Sequence, residues 1–186
     1  MIRITGGKFK GKKLSSITNF VRPTSSLKRE AFFSIIESYA LRNSLNLIKN
    51  KTFLDLFAGI GTMGLEAISR GFKKAIFFEN NQEVIKILNK NCENLCLNYQ
   101  YNIIDQDILV SNFNLDFKNI SVIYIDPPYL KYEIEKILIA IQDKVNRESI
   151  IAIETKIDDN FIIPTKMKLI INKKYGKTKI NFLVLS

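Results

Sequence analysis

The stretch Asp55-Leu-Phe-Ala-Gly59-Ile-Gly61-Thr-Met-Gly64 decides how this 186-residue chain is read. It closes Lys51-Thr-Phe-Leu-Asp-Leu-Phe57, a short apolar run of strand character, and leads into Gly64-Leu-Glu-Ala-Ile-Ser-Arg70, a helical pattern that Gly71 ends. Glycines at such a junction let the backbone approach a ligand closely, and the helix N-terminus supplies amide donors. The spacing Gly59-x-Gly61-x-x-Gly64 also fits a dinucleotide fingerprint. The carboxylate of Asp55 separates the two readings, because it repels a pyrophosphate and attracts an ammonium. S-adenosylmethionine (SAM) carries an ammonium and a sulfonium and no phosphate. Glu79, at the end of the second apolar run Ala75-Ile-Phe-Phe-Glu79, is placed to accept from both ribose hydroxyls. Asp107, after a third strand at 102–105, is placed to take the adenine amino group. Phe57, Gly59 and Gly61 complete the expected cofactor set.

Outward from this junction, strands and helices alternate. Further strands are expected at 122–126 and 150–154, and helices at 84–97 and 132–145. Continuous apolar strands separated by helices predict a mostly parallel, doubly wound α/β sheet. The tail departs from this: 167–174 and 179–185 flank the turn signal Tyr175-Gly176 and read as an antiparallel pair at the sheet edge. At the other end, 2–14 reads as a glycine-punctuated hairpin. Pro23 is expected to open an amphipathic helix through Phe32, Phe33, Ile35, Ile36 and Tyr39. One domain is expected over 1–186, with 1–50 as a basic N-terminal extension on a core of 51–186.

A second motif, Asp126-Pro127-Pro128-Tyr129, follows the apolar strand. Two prolines after a strand remove two amide donors and stiffen the backbone, so the carbonyls of Asp126 and Pro127 become fixed acceptors beside a carboxylate. Tyr129 adds an aromatic platform. These parts suit an exocyclic amino group on a flat base, whose lone pair is delocalised and needs orienting.

The charge is unevenly placed. Residues 1–30 hold eight basic side chains and one acid, a net of +7; residues 166–186 hold six lysines and no acid; the body between carries −3, within a total of +10. Basic ends around a mildly acidic body suit a polyanion held at the periphery of a catalytic core. Arg3, Lys8, Lys10 and Lys12 alternate along the first strand as a phosphate-binding face or as solvated edge protectors; Arg22 and Arg29 are further RNA-binding candidates, or with Glu30 form a helix-start brace or sit near the cofactor pocket. With no histidine and only Cys92 and Cys96, the usual zinc and Ser-His-Asp or Cys-His sites cannot be assembled, and no metal is expected. Cys92 and Cys96, four apart on one helix face, are expected to be reduced. No stretch approaches the ~18 apolar residues of a spanning helix, and none resembles a secretory signal, so the cytoplasm is the expected address.

The chain resembles the bacterial 16S rRNA guanine-N2 methyltransferases of the RsmD type nearly end to end. The resemblance is carried by Arg3-Ile-Thr-Gly-Gly-Lys-Phe-Lys-Gly-Lys-Lys-Leu14, Arg22-Pro-Thr24 with Arg29-Glu30, the glycine stretch through Gly71, Asp126-Pro-Pro-Tyr129 and Lys174-Tyr-Gly176. It implies a Rossmann-like SAM-dependent fold with an antiparallel last strand. It also implies methylation of one guanine amino group in 16S rRNA within an assembling small subunit. A monomer is the simplest expectation. The family's SAM roles fall on Asp55, Gly59, Gly61, Glu79 and Asp107, and its guanine roles on Asp126 to Tyr129. Where the family commonly has an acidic-basic pair after Arg-Pro-Thr, this chain has Ser26-Leu27, with Lys28 next to them as a candidate substitute. The alternatives are a DNA or other RNA amino-methyltransferase and a non-catalytic RNA-binding assembly factor. A protein glutamine methyltransferase would more typically show Asn at 126. An NAD-dependent oxidoreductase lacks both a second domain and a histidine here.

Overall fold

The structure is a computed structural model that describes residues 2–16, 25–108, 115–128 and 132–186. The strands are β1 (Ile2–Arg3), β2 (Lys13–Leu14), β3 (Thr52–Asp55), β4 (Lys74–Glu79), β5 (Tyr101–Asp105), β6 (Ile120–Ile125), β7 (Ile150–Lys156), β8 (Met167–Tyr175) and β9 (Thr178–Leu185). The helices are α1 (Ser26–Arg42), α2 (Thr62–Ser69), α3 (Gln82–Leu95) and α4 (Ile134–Ile141).

Seven strands form one sheet in the order β5-β4-β3-β6-β7-β9-β8. The first five are parallel, and β9 runs antiparallel between β7 and β8. The predicted α/β architecture and its antiparallel tail are therefore present. β6 and β7 are buried along nearly their whole length because helices or loops cover both sheet faces, which explains their uninterrupted apolar sequence. One face packs α1, α2 and α3 around Phe32, Phe53, Phe77 and Phe182; the other packs α4 through Ile137, Leu138 and Ile141. The order reverses between β3 and β6, and an open α/β sheet binds ligands in the crevice outside such a switch point, at the carboxyl ends of the strands. Asp55 ends β3 opposite Tyr124, and Asp126 lies two residues beyond, at the end of β6.

Helix α1 buries Arg29, Phe32, Phe33 and Ile36, the i, i+3, i+4, i+7 stripe of a helix laid on a sheet. Its ring contacts run from Phe32 to Phe53, Tyr124 and Phe182, so it spans β3, β6 and β9. Pro23 lies outside the described residues; the cap is Ser25, whose hydroxyl accepts the Lys28 N–H at 3.3 Å. The N-terminal hairpin is shorter than expected. β1 and β2 pair over only two residues each, and Gly7–Phe9 forms a 3-10 turn between them. Glycines at positive φ, Gly7 and Gly11, turn the chain away from an extended ladder. Arg3, Lys8, Lys10 and Lys12 thus do not alternate on one strand face, although all four are exposed on the looped arm. Helix α3 stops at Leu95, and Cys96 is extended, which corrects the expected common helical face with Cys92; both are buried free thiols. Among the described residues, no helix is long and apolar enough to cross a membrane.

Candidate active site

The glycine loop is held at its edges by the sheet. Leu56 N–H donates to the Tyr124 carbonyl at 3.0 Å and Ala58 N–H to the Phe78 carbonyl at 2.9 Å, pinning the loop between β6 and β4. Gly61 caps α2 at φ 86°, a left-handed conformation that L side chains rarely adopt. Gly64 serves packing instead. A Cβ there would lie 2.2 Å from the Phe77 ring, so this glycine lets α2 sit against β4. Asn91, buried on α3, braces the same loop by donating Nδ2 to the Ile60 carbonyl at 3.0 Å, and exchanges two hydrogen bonds with the Ser15 backbone.

Asp55 is 1% exposed. Burial pushes its carboxyl up to about 7, against the backbone N–H groups of Phe57 and Gly64, which lower it, while the charge of Glu79 raises it further. Its Oδ1 is buried without a hydrogen-bond partner among the described residues. A buried carboxylate oxygen with nothing to accept from, beside a glycine loop, fits the ammonium of SAM. Glu79 accepts three backbone donors: Gly59 N–H at 3.0 Å, Asn80 N–H at 3.0 Å and Asn81 N–H at 2.9 Å. It buckles the loop to the end of β4 and leaves Oε2 with lone-pair capacity for a ribose hydroxyl. Asp107 accepts from the Tyr132 hydroxyl at 2.8 Å and Asn80 Nδ2 at 3.3 Å, and the Tyr132 ring meets Phe57 edge-on, centroids 4.8 Å apart. Phe57, Tyr132 and Asp107 therefore make an aromatic wall with a carboxylate beside it. Tyr132, its hydroxyl pushed up to about 12 by burial and then by Asp107, joins the candidate site, although sequence periodicity places it only at a helix start; the helix itself begins at Ile134.

At the end of β6, Pro127 is buried, Pro128 exposed and Asp126 half-buried. Burial holds the Asp126 carboxyl well above the ordinary carboxylate range; the charges of Glu154 and Asp55 raise it and Lys28 opposes them. Tyr129 lies outside the described residues, as does Arg22. Behind Asp126 stands a buried network that no sequence motif marks. Lys28 Nζ pairs with Glu154 and donates to Thr178 Oγ1 at 2.9 Å, and the Tyr124 hydroxyl donates to Glu154 Oε2 at 2.8 Å.

One assignment is overturned. Arg29, expected to contact RNA, is 2% exposed, lies 3.5 Å from the Glu66 carboxylate and donates to the Arg3 carbonyl at 2.6 Å. It stands on the apolar stripe of α1, three and four residues before Phe32 and Phe33, so helical periodicity already pointed it inward. Its partner Glu66, 0% exposed on α2, has no such signal, since nothing local marks an acid in a fully buried helix.

A switch-point crevice with a glycine loop, an unpaired buried carboxylate oxygen and a second carboxylate followed by two prolines defines a SAM-dependent methyltransferase. The chain belongs to the family described as conserved hypothetical protein 95, whose model matches residues 2–184. It is 33% identical over 172 residues to ribosomal RNA small subunit methyltransferase D of Buchnera aphidicola, covering 90% of this chain and 85% of the relative. It is 30% identical over 186 residues to the protein of the same name from Haemophilus influenzae, covering 94% and 89%. A solved structure from Escherichia coli, a methyltransferase named yhhF, shares the fold at a TM-score of 0.82 with 23% identity, covering 100% of this chain and 98% of that one.

Proposed function

We propose that this chain methylates the exocyclic N2 amine of one guanine in 16S rRNA, as a cytoplasmic monomer acting on an assembling small subunit. The observation that carries the reading is the placement of Asp126-Pro127-Pro128 at the end of β6, directly across the switch point from the unpaired Oδ1 of Asp55. The names of the relatives, ribosomal RNA small subunit methyltransferases, support the polymer, and the exposed basic arm supplies a surface for it.

Asp55, Glu79 and Asp107, with Phe57 and the loop glycines, hold the cofactor. SAM, when bound, supplies a methyl group already activated on a sulfonium. The Asp126 carboxylate and the Pro127 carbonyl accept the two amine hydrogens and aim the nitrogen lone pair along the transfer axis. Tyr129 stacks on the base once it leaves its helix. The basic arm, with Arg3, Lys8, Lys10 and Lys12, binds phosphates away from the acidic crevice.

The test is methyl transfer from labelled SAM to assembled small subunits from cells lacking this activity, naked rRNA, DNA and total protein, each offered separately. Label on a guanine N2 of rRNA supports the proposal, and Asp126→Ala slows that transfer by on the order of 100-fold while SAM still binds. Label on DNA or protein alone, or an unchanged single-turnover rate in Asp126→Ala, overturns it.

A further inference from the structure

We propose that Lys28 and Glu154, a buried ion pair contributed by α1 and β7, are positioning residues that act through Asp126 and govern whether it meets the target amine as a carboxylate. This deepens the amine-methylation reading above and rests on it.

The geometry begins with the strands. β6 and β7 are parallel, with Ile125 opposite Ile153, so Asp126 and Glu154 are the next residues on neighbouring strands. Glu154 is 5% exposed and cannot relax into water. One of its oxygens is held by the Tyr124 hydroxyl at 2.8 Å and the other by Lys28, which Thr178 Oγ1 fixes in turn at 2.9 Å. Every partner is thus ordered by another, and Lys28, 13% exposed along its side chain, cannot swing away without leaving a buried charge unpaired. The charged groups facing Asp126 are Glu154 from β7, Asp55 from β3 and Lys28 from α1. Among the described residues, two acids crowd it against one cation, and that cation comes from the N-terminal extension.

The chemistry makes this balance matter. A neutral Asp126 has one oxygen already carrying a proton, so it accepts poorly from the amine and cannot take the proton that the nitrogen sheds as its bond to the methyl carbon forms. A charged Asp126 does both, and passes the proton to water afterwards. Lys28 favours the charged form and Glu154 opposes it; the pair holds the two influences at fixed positions. Lys28 follows directly on Ser26-Leu27 in the first turn of α1, which is what carries its side chain to Glu154.

The experiment is a carbon-13 carboxyl NMR titration of Asp126 in the full chain, assigned with Asp126→Asn, in the wild type, Lys28→Met, Glu154→Gln and the double variant. It needs no RNA, so it is independent of the substrate. Lys28→Met should raise the Asp126 midpoint and Glu154→Gln should lower it, each by about one pH unit. The acid limb of single-turnover transfer should move the same way, leaving Lys28→Met about tenfold slower than wild type below its midpoint. The double variant, which leaves no buried charge unpaired, keeps the test decisive if Lys28→Met does not fold; its midpoint should fall at or below the wild-type value. Midpoints that stay put, shifts in the same direction for both single variants, or a kinetic limb that does not follow the titration overturn the inference. Absence of transfer to any RNA by the wild type overturns the reading beneath it instead.

Discussion

The Glu66 carboxylate on α2 accepts the Thr5 backbone N–H at 2.9 Å, across 61 residues of sequence. The same carboxylate takes Thr5 Oγ1 at 2.7 Å, Gly6 N–H at 2.8 Å and Arg70 Nε at 3.0 Å, and faces Arg29. It is the anchor of the basic arm and lies just behind the cofactor loop. Glu66→Ala leaves two cations and several arm donors without their acceptor, and should cost about 3–5 kcal/mol in a urea denaturation series. Loss of the arm's amide protection in hydrogen exchange should accompany it.

Arm lysines and Arg29 separate in their effects. Replacing Lys8, Lys10 and Lys12 with Ala should weaken RNA binding and lower the log-log salt slope by up to about 0.7–0.9 per lost phosphate contact, with SAM affinity unchanged by calorimetry. Arg29→Met should do the reverse, reducing stability and leaving the salt slope of the folded protein alone, because its guanidinium is turned to Glu66.

Asp55 imposes a pH dependence of known sign. Its carboxyl is raised from 3.8 to about 7 in the folded chain, so between those values the folded state holds a proton the unfolded state has lost. Its contribution is full at acid pH and declines as pH rises from about 4 to about 7, by roughly 4 kcal/mol. Asp55→Asn should flatten that segment of the stability curve. SAM affinity should move oppositely in the wild type, strengthening as pH rises toward 7 and the carboxylate forms, and Asp55→Asn should weaken it and remove this dependence.

Gly64→Ala tests packing apart from ligand binding. The added methyl meets the buried Phe77 ring, and the resulting overpacking should cost about 1–3 kcal/mol, read as a lower Tm. The shift should appear with or without SAM, since the clash is between α2 and β4.

The fold was legible because its signals are local. Apolar runs such as 122–125 and 150–153, the glycine junction at 59–64 and the Tyr175-Gly176 turn each act within a few residues, and doubly wound topology follows from alternating them. The positions of Asp55, Glu79 and Asp126 at the ends of recognisable strands were legible for the same reason. Arg29 was misassigned by its charge, although the stripe of α1 already placed it inside.

The sequence by itself determined the strand-helix alternation, the antiparallel tail and the row of acids at the carboxyl edge of the sheet. Only the tertiary structure decided which side chains those acids meet. Lys28 reaches Glu154 across 126 residues, Tyr132 reaches Asp107 across 25, and Gly59 is buckled to Glu79 across 20. Such pairings depend on which strand ends and helix starts the packing of two sheet faces brings within hydrogen-bond reach. Burial, which only packing creates, then decides which of those groups keep their charge.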